Sequence, residues 1–229
     1  MKIQARQAGE KEKATELILI YSEGKKTEPN YFVQFKERIH AAYRNVVSVE
    51  VTGKGLCTMD LFNAISDDVA KEIKARGHGR GVTVWLVYDY DGKCGFDDVP
   101  AAADARNGDG SGVAYRLAWS NWCVELWFTL HFQDMLRADY PRPPCCTGYM
   151  KKLNVHLGER YRKKDPGIFD KLLDRGDPRK AIERAEELVR LAKEEGLIPS
   201  DANPCTLVHE LVKVLAMYLP DELKARFIG

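Results

Sequence analysis

The sequence lacks a long apolar run. No segment of its 229 residues approaches the roughly 20 apolar residues that a membrane-spanning helix needs. The polar start, residues 1–16, has charges of both signs and lacks the apolar core of a secretory signal peptide. These absences predict a soluble, cytoplasmic protein without a membrane anchor.

Cysteine pairs of the Cys-x-x-Cys type are also missing. This absence argues against a zinc finger and against a disulfide framework, so we expect reduced thiols. The neighbouring Cys145 and Cys146 are interpreted as bystanders in a proline-flanked loop rather than as a reactive pair. The six cysteines are Cys57, Cys94, Cys123, Cys145, Cys146 and Cys205.

The sequence has no excess of charge of one sign. Lys and Arg number 35 against 34 Asp and Glu, which gives a net charge of +1. This balance neither supports nor excludes nucleic-acid binding, because a local basic groove can exist on a neutral protein. The densest basic cluster is Arg160–Lys164. Such runs are usually solvent-exposed surface, but beside an acidic metal site this one could hold phosphates.

One apolar segment ends abruptly in two carboxylates. Residues 82–88 are almost all apolar or β-branched, which is typical of a strand buried on both faces of a parallel sheet. Asp89 and Asp91 follow it, where ligands collect in open α/β sheets. The alternative is an ordinary strand followed by an Asp91-Gly92 turn.

Two other predicted strands end in oxygen donors. Glu23 and Glu28 follow the first strand, and Ser120 and Glu125 follow the fourth. Parallel strands bring their carboxyl ends to one edge of the sheet, and Mg²⁺ prefers oxygen ligands. The pattern therefore predicts a site for one or two Mg²⁺ or Mn²⁺ ions that could support phosphodiester hydrolysis.

The periodicity predicts an α/β protein with a mainly parallel sheet in residues 1–140 and a helical extension in residues 141–229 that packs on this core. The break is Pro141–Pro144, and no strand pattern follows it. His131 is interpreted as a hydrogen-bonded core histidine, and Thr27 as a helix cap. The predicted strands cover 17–21, 46–51, 82–88 and 113–119, and the predicted helices 31–39, 61–73, 96–106, 123–135, 148–157, 168–175, 178–195, 204–218 and 221–227.

The combination of motifs resembles known families. A strand ending in Glu23-Gly24, followed later by Asp89-x-Asp91, is similar to the TOPRIM domain of type II topoisomerases, primases and OLD-type nucleases. A longer set of sequence motifs resembles the RloB family over nearly the whole chain. It comprises Tyr21-Ser22-Glu23-Gly24-Lys25-Lys26-Thr27-Glu28-Pro29-Asn30-Tyr31-Phe32, Ser120-Asn121-x-Cys123-x-Glu125-x-Trp127-Phe128, His131-Phe132, Tyr161-x-Lys163 and Asn203-Pro204-x-Thr206.

The resemblance implies a TOPRIM-like fold with two metal positions. By analogy with OLD-type nucleases, the ligands would be Glu23, Glu28, Asp89, Asp91, Ser120 and Glu125. Glu23, Asp89 and Asp91 would also be catalytic, and a later lysine, Lys163 or Lys164, would lie near the cleaved phosphate.

The resemblance also implies a function. We expect a metal-dependent nuclease of DNA or RNA in a bacterial antiviral, abortive-infection or restriction-associated system, with an ABC-type ATPase as partner and homo-oligomerisation left open. The alternative is a non-catalytic nucleic-acid-binding or regulatory subunit of such an ATPase complex. A phosphatase fits poorly because Asp89-x-Asp91 follows the third strand rather than the first, and the chain is too short for a topoisomerase or primase.

Overall fold

A computed structural model describes residues 15–76, 81–92, 95–137 and 145–229. One five-stranded sheet has the order β2-β1-β3-β4-β5. The first four strands are parallel, and β5 runs antiparallel to β4. The strands are β1 (Glu16–Ser22), β2 (Val47–Gly53), β3 (Val82–Asp89), β4 (Val113–Asn121) and β5 (Cys205–Thr206).

Burial along the strands follows their position in the sheet. The central strands β1 and β3 are buried almost throughout. Edge strand β2 alternates between buried and accessible residues, as is typical of a strand with one solvated face. The sheet has a topological switch point between β1 and β3, because β2 lies on one side of β1 whereas β3 and β4 follow on the other side. In open α/β sheets, ligands bind beyond the carboxyl ends of the strands at such a point. The predicted α/β class with a mainly parallel sheet is confirmed.

Helices lie on both faces of the sheet. Leu19 and Tyr21 line a cavity together with Asp68 of the helix Ser66–Arg76, whereas Ile18 and Trp85 line another together with Val214 of the C-terminal helix Val208–Ala216. The apolar faces of both sides of the sheet are therefore covered. The helices of the first half of the chain are α1 (Thr27–Glu37), α2 (Thr58–Ala64), α3 (Ser66–Arg76), α4 (Asp98–Asn107) and α5 (Glu125–Leu130).

Three helix predictions in this half need correction. The helix predicted over 61–73 is interrupted at Ile65, between α2 and α3. The helix predicted over 123–135 ends early, because the His131 carbonyl accepts a hydrogen bond from the Asp177 backbone N–H, 2.9 Å away. Thr27 is the first residue of α1 rather than its cap, and its hydroxyl donates to the Lys163 carbonyl at 2.7 Å.

The C-terminal half contributes helices and one strand. The start of the helix predicted over 178–195 is confirmed, since the Asp177 side chain caps the helix that begins at Pro178. The prediction that no further strand follows the break was wrong. Residues 205–206, which were predicted to lie in the helix 204–218, form β5 and pair with β4. The helices are α6 (Cys146–Leu157), α7 (Ile168–Arg175), α8 (Pro178–Glu194), α9 (Val208–Ala216) and α10 (Asp221–Phe227).

An aromatic cluster joins the C-terminal helices to the first half of the chain. Phe169 of α7 packs edge-on against Phe35 of α1 with ring centroids 4.9 Å apart, and lies 5.5 Å from Tyr31. Phe227 of α10 lies 5.4 Å from Phe35, and Phe128 of α5 lies 5.3 Å from Tyr31. All five rings are buried, so the core continues across the two halves of the chain.

Some predictions fall on residues outside the described ranges. These are the break at Pro141–Pro144 and the thiol of Cys94. Within the described ranges, every helix is too short or too polar to traverse a lipid bilayer.

Candidate functional site

The Glu-Gly turn after β1 is held between the ends of two neighbouring strands. The Glu23 backbone N–H donates to the Val87 carbonyl of β3 at 2.9 Å. On the other side, the backbone N–H groups of Lys54 and Gly55 donate to the carbonyls of Ser22 and Glu23 at 2.9 and 2.8 Å. The backbone of Glu23 is therefore fixed at the switch point of the sheet.

Gly24 makes room for the second acid of this turn. A Cβ atom built at Gly24 would overlap the carboxylate of Glu28. Glu28 lies in the first turn of α1 and is almost fully buried. The glycine of the Glu-Gly motif thus lets the Glu28 carboxylate lie against the backbone of the turn.

The Asp pair occupies the end of β3 and the turn that follows. Asp89 is the last residue of the strand and is buried. Asp91 adopts the left-handed conformation with φ of 43°, which Asp tolerates better than most residues, and Gly92 follows with φ of 71°. The Asp91-Gly92 turn, which is the alternative to a ligand site, is therefore present. Asp89 and Asp91 nevertheless both lie at the end of β3.

Glu125 begins α5 and is fully buried. Its Oε1 accepts a hydrogen bond of 3.1 Å from the hydroxyl of Tyr161. The ammonium of Lys163 lies 3.7 Å from the same oxygen. One carboxylate oxygen of Glu125 is therefore oriented by two groups from the segment between α6 and α7.

The pKa shifts of these acids reflect how close they lie, because each negative charge raises the pKa of the neighbouring carboxyls. The pKa of Glu28 is raised to about 7, mainly by burial and also by the negative charges of Glu125 and Glu23, while the charge of Lys163 acts in the opposite direction. Burial raises the pKa of Asp89 well above its usual range, with added repulsion from Glu28, Glu125, Asp91 and Glu23. The structure thus brings five predicted ligands together. We call Glu23, Glu28, Asp89, Asp91 and Glu125 the acidic cluster.

Carboxylate oxygens of Glu28, Asp89 and Glu125 are buried without a hydrogen-bond partner among the described residues. They are Oε2 of Glu28, Oδ1 of Asp89 and Oε2 of Glu125. Buried carboxylate oxygens are costly unless they are paired or coordinate a cation. This all-oxygen donor set fits hard divalent cations such as Mg²⁺ and Mn²⁺.

Ser120 has a different environment from the acids. Its hydroxyl is hydrogen-bonded to the Thr206 hydroxyl at 2.9 Å. Thr206 in turn donates to the Trp119 carbonyl at 3.0 Å. The observed contact of Ser120 joins β4 to β5, and its role as a metal ligand stays a prediction.

The basic segment, Arg160–Lys164, lies beside the acidic cluster. It lines an open cleft of about 870 Å³, whose walls include Arg160, Arg162, Lys163 and Lys164. The acidic side chains in the same wall, Glu159 and Asp165, both pair with Lys171. Lys163 connects this cleft to Glu125, and Lys164 lines the cleft.

Sequence reasoning missed two features of the site. Tyr161 and Thr206 occur in the motifs that carry the family resemblance, but no role was predicted for either. The second feature is a disulfide between Cys123 and Cys146, which corrects the expectation of reduced thiols for this pair. The pair could not be found from spacing, because the two residues meet only when α6 packs against α5.

Comparison with known families follows the same motifs. Residues 18–215 match the family described as RloB-like protein. The chain belongs to the RloB-like family. The match spans every residue of the acidic cluster and of the basic segment. Comparisons of this RloB-like chain with curated proteins and with solved structures gave no match.

Proposed function

We propose that this RloB-like protein is a metal-dependent nuclease that hydrolyses phosphodiester bonds of DNA or RNA. One observation carries the proposal: five carboxylates converge at the switch point of the sheet, directly beside a basic cleft. Acidic residues alone would repel a nucleic acid. The neighbouring cations provide the complementary charge for a phosphate backbone.

The acidic cluster would hold one or two Mg²⁺ or Mn²⁺ ions. When bound, such ions activate a water and stabilise the attacking and leaving oxygens of phosphodiester cleavage. The unpartnered oxygens of Glu28, Asp89 and Glu125 support this assignment. Because burial keeps the pKa of Glu28 near 7, we expect this carboxyl to give up its proton when a cation binds.

Residues around the cluster position it and the substrate. Tyr161 orients Glu125 through its hydroxyl. Lys163 offsets the charge of Glu125 and is half-exposed, so its ammonium can also contact a phosphate in the cleft. The bond from Thr27 to the Lys163 carbonyl fixes this part of the basic segment against α1. Lys164 would bind phosphates farther along the cleft.

The first test removes single carboxylates. We expect Glu23→Gln and Asp89→Asn to lower cleavage of mixed DNA and total RNA, with Mg²⁺ and separately with Mn²⁺, by at least about a hundredfold. Both variants should also weaken Mn²⁺ binding in calorimetry. Glu37→Gln is the matched control, because Glu37 is exposed at the end of α1.

The outcomes of this test separate an enzyme from a binding subunit. Unchanged cleavage by Glu23→Gln or Asp89→Asn would remove the assignment of these acids. A wild-type protein that binds nucleic acid but neither binds Mn²⁺ nor cleaves would be a recognition subunit.

A second test concerns the lysine next to Glu125. We expect Lys163→Gln to lower cleavage on the order of a hundredfold, because one cation positioned at the reacting phosphate would be lost. The affinity for nucleic acid should also become less dependent on salt, since one phosphate contact is removed. Lys180→Gln is the control, because Lys180 pairs with Glu183 at an exposed site on α8. Equal activity of the two variants would contradict a phosphate-binding role for Lys163.

Membership of the RloB-like family extends the proposal to the cell. We expect a cytoplasmic role in bacterial antiviral defence, with an ABC-type ATPase as partner. Co-purification of the full chain with the product of a neighbouring ATPase gene tests the partner. Loss of phage protection in the Glu23→Gln strain tests the role in defence.

A further inference from the structure

Two sulfur atoms lie next to the acidic cluster. Cys123 lies two residues before the start of α5 and is fully buried, and Cys146 is the first residue of α6. The structure joins them as a disulfide. A carboxylate oxygen of Glu125 and the two sulfur atoms all lie within 4.8 Å of one another.

Two further observations concern the carboxylates beside these sulfurs. The Sγ atom of Cys146 lies 3.4 Å from Oδ1 of Asp91. Glu125 is fully buried, and its Oε2 has no hydrogen-bond partner among the described residues. A buried oxygen in this position is stabilised if it coordinates a cation. Cys123, Cys146 and Glu125 thus offer two sulfur donors and one oxygen donor close together, and Asp91 offers a second oxygen beside Cys146.

We propose that Cys123, Cys146, Glu125 and Asp91 bind one Zn²⁺ ion when the disulfide is reduced. Zn²⁺ takes four ligands in a tetrahedron from thiolates and carboxylates. Thiolates favour Zn²⁺ over Mg²⁺, which prefers oxygen alone. In a tetrahedral site with bonds of about 2.0–2.3 Å, ligand atoms lie about 3.3–3.8 Å apart, so the two sulfur atoms move apart when the disulfide is reduced and the ion binds.

The disulfide and the zinc-bound state exclude each other, because both use the same two sulfur atoms. A phosphine reductant and one water convert the disulfide into two thiols and a phosphine oxide. The sulfur–sulfur bond breaks, and the phosphorus takes the oxygen of the water while the sulfurs take its two protons. Binding of Zn²⁺ then releases the two thiol protons to solvent.

This site is different in chemistry from the proposed site for Mg²⁺ or Mn²⁺. It shares Asp91 and Glu125 with the acidic cluster but does not use Glu23, Glu28 or Asp89. Zinc binding therefore does not depend on the nuclease activity, and the two proposals can fail separately.

The experiment uses Co²⁺ as a spectroscopic probe on the full chain. The protein is reduced with a phosphine, desalted without oxygen and titrated with Co²⁺. We expect a thiolate-to-cobalt charge-transfer band in the near ultraviolet that saturates at one Co²⁺ per chain and disappears when Zn²⁺ is added. The disulfide form of the same protein should give no band, and this comparison requires no mutation.

Variants assign the ligands. Cys146→Ser should abolish the band, and Glu125→Gln should weaken Co²⁺ binding at least about tenfold. Cys145→Ser is the matched control, because Cys145 is exposed, lies outside the cluster and should leave the band unchanged. Glu23→Gln should also retain the band even though it loses cleavage. The proposal is overturned if reduced wild-type protein gives no band, or if Cys146→Ser retains it.

Discussion

At the scale of single residues, Gly24 controls where the Glu28 carboxylate can lie. Its backbone does not need the left-handed conformation that favours glycine. The constraint is space alone, because a Cβ atom at this position would overlap the Glu28 carboxylate. The glycine of a Glu-Gly motif is thus explained here by the second acid and not by the turn.

This constraint can be measured with Gly24→Ala. The added methyl group should displace the Glu28 carboxylate, so we expect Mn²⁺ affinity to fall about tenfold, which corresponds to about 1.4 kcal/mol. The free energy of unfolding should change by less than about 1 kcal/mol, because the end of a flexible side chain can move. Gly108→Ala is the control, since a Cβ there would meet its nearest atom at 3.6 Å. Equal Mn²⁺ affinity in both variants would show that Glu28 does not need this space.

At the scale of elements, α5 begins with an acid of the site and is followed directly by a buried histidine. His131 follows the last residue of α5, and its Nδ1 is hydrogen-bonded to the Trp127 carbonyl at 3.0 Å. This contact confirms the interpretation of His131 as a core residue. Burial lowers its pKa from 6.5 to about 4.

The lowered pKa of His131 predicts how stability depends on pH. Between pH 6.5 and about 4 the unfolded chain binds a proton that the folded chain does not, so the free energy of unfolding falls as the pH falls. His131→Asn should reduce this fall by about 3 kcal/mol. The measurement is urea unfolding at pH 7 and at pH 4. His40→Asn replaces an exposed histidine, and the same reduction there would rule out burial as the cause.

The elements also show what the sequence could predict. The strands beside the acids were found because a buried parallel strand is continuously apolar and its end is marked by the first charge, as at Asp89. The end of α5 and the start of β5 were missed because each depends on a partner distant in sequence. The His131 carbonyl accepts a hydrogen bond from the Asp177 backbone N–H, and the Thr206 hydroxyl is hydrogen-bonded to the Ser120 hydroxyl. Such contacts leave no local periodicity.

The same limit applies within the site. The carboxylates could be predicted because they lie at or just after the ends of predicted strands. Tyr161 could not, because it lies in an irregular segment between α6 and α7. No spacing rule connects Tyr161 to Glu125, and only the packing of these elements reveals the contact.

At the scale of the whole molecule, the aromatic cluster makes the two halves of the chain depend on each other. Removal of Phe169 and Phe227 would expose Phe35, and each lost ring in a core costs about 3 kcal/mol or more. A protein of this kind has a total stability of about 5–15 kcal/mol. The first half alone would therefore have little stability left.

We accordingly expect the fragment 1–140 to lack a cooperative unfolding transition, and the full chain to unfold in a single one. Calorimetry tests the full chain, whose calorimetric and van't Hoff enthalpies should agree. Circular dichroism during heating tests the fragment. A sharp transition in the fragment would show that the predicted division at residue 140 separates two independently stable domains.

The contact between Tyr161 and Glu125 has a consequence for biosynthesis. The ribosome makes all five acids long before it makes Tyr161, Lys163 and Thr206. A nascent chain can therefore carry the carboxylates while it lacks the groups that orient Glu125 and complete the sheet. If the protein cleaves nucleic acid, its own messenger and the translating ribosome are spared until most of the polypeptide has emerged.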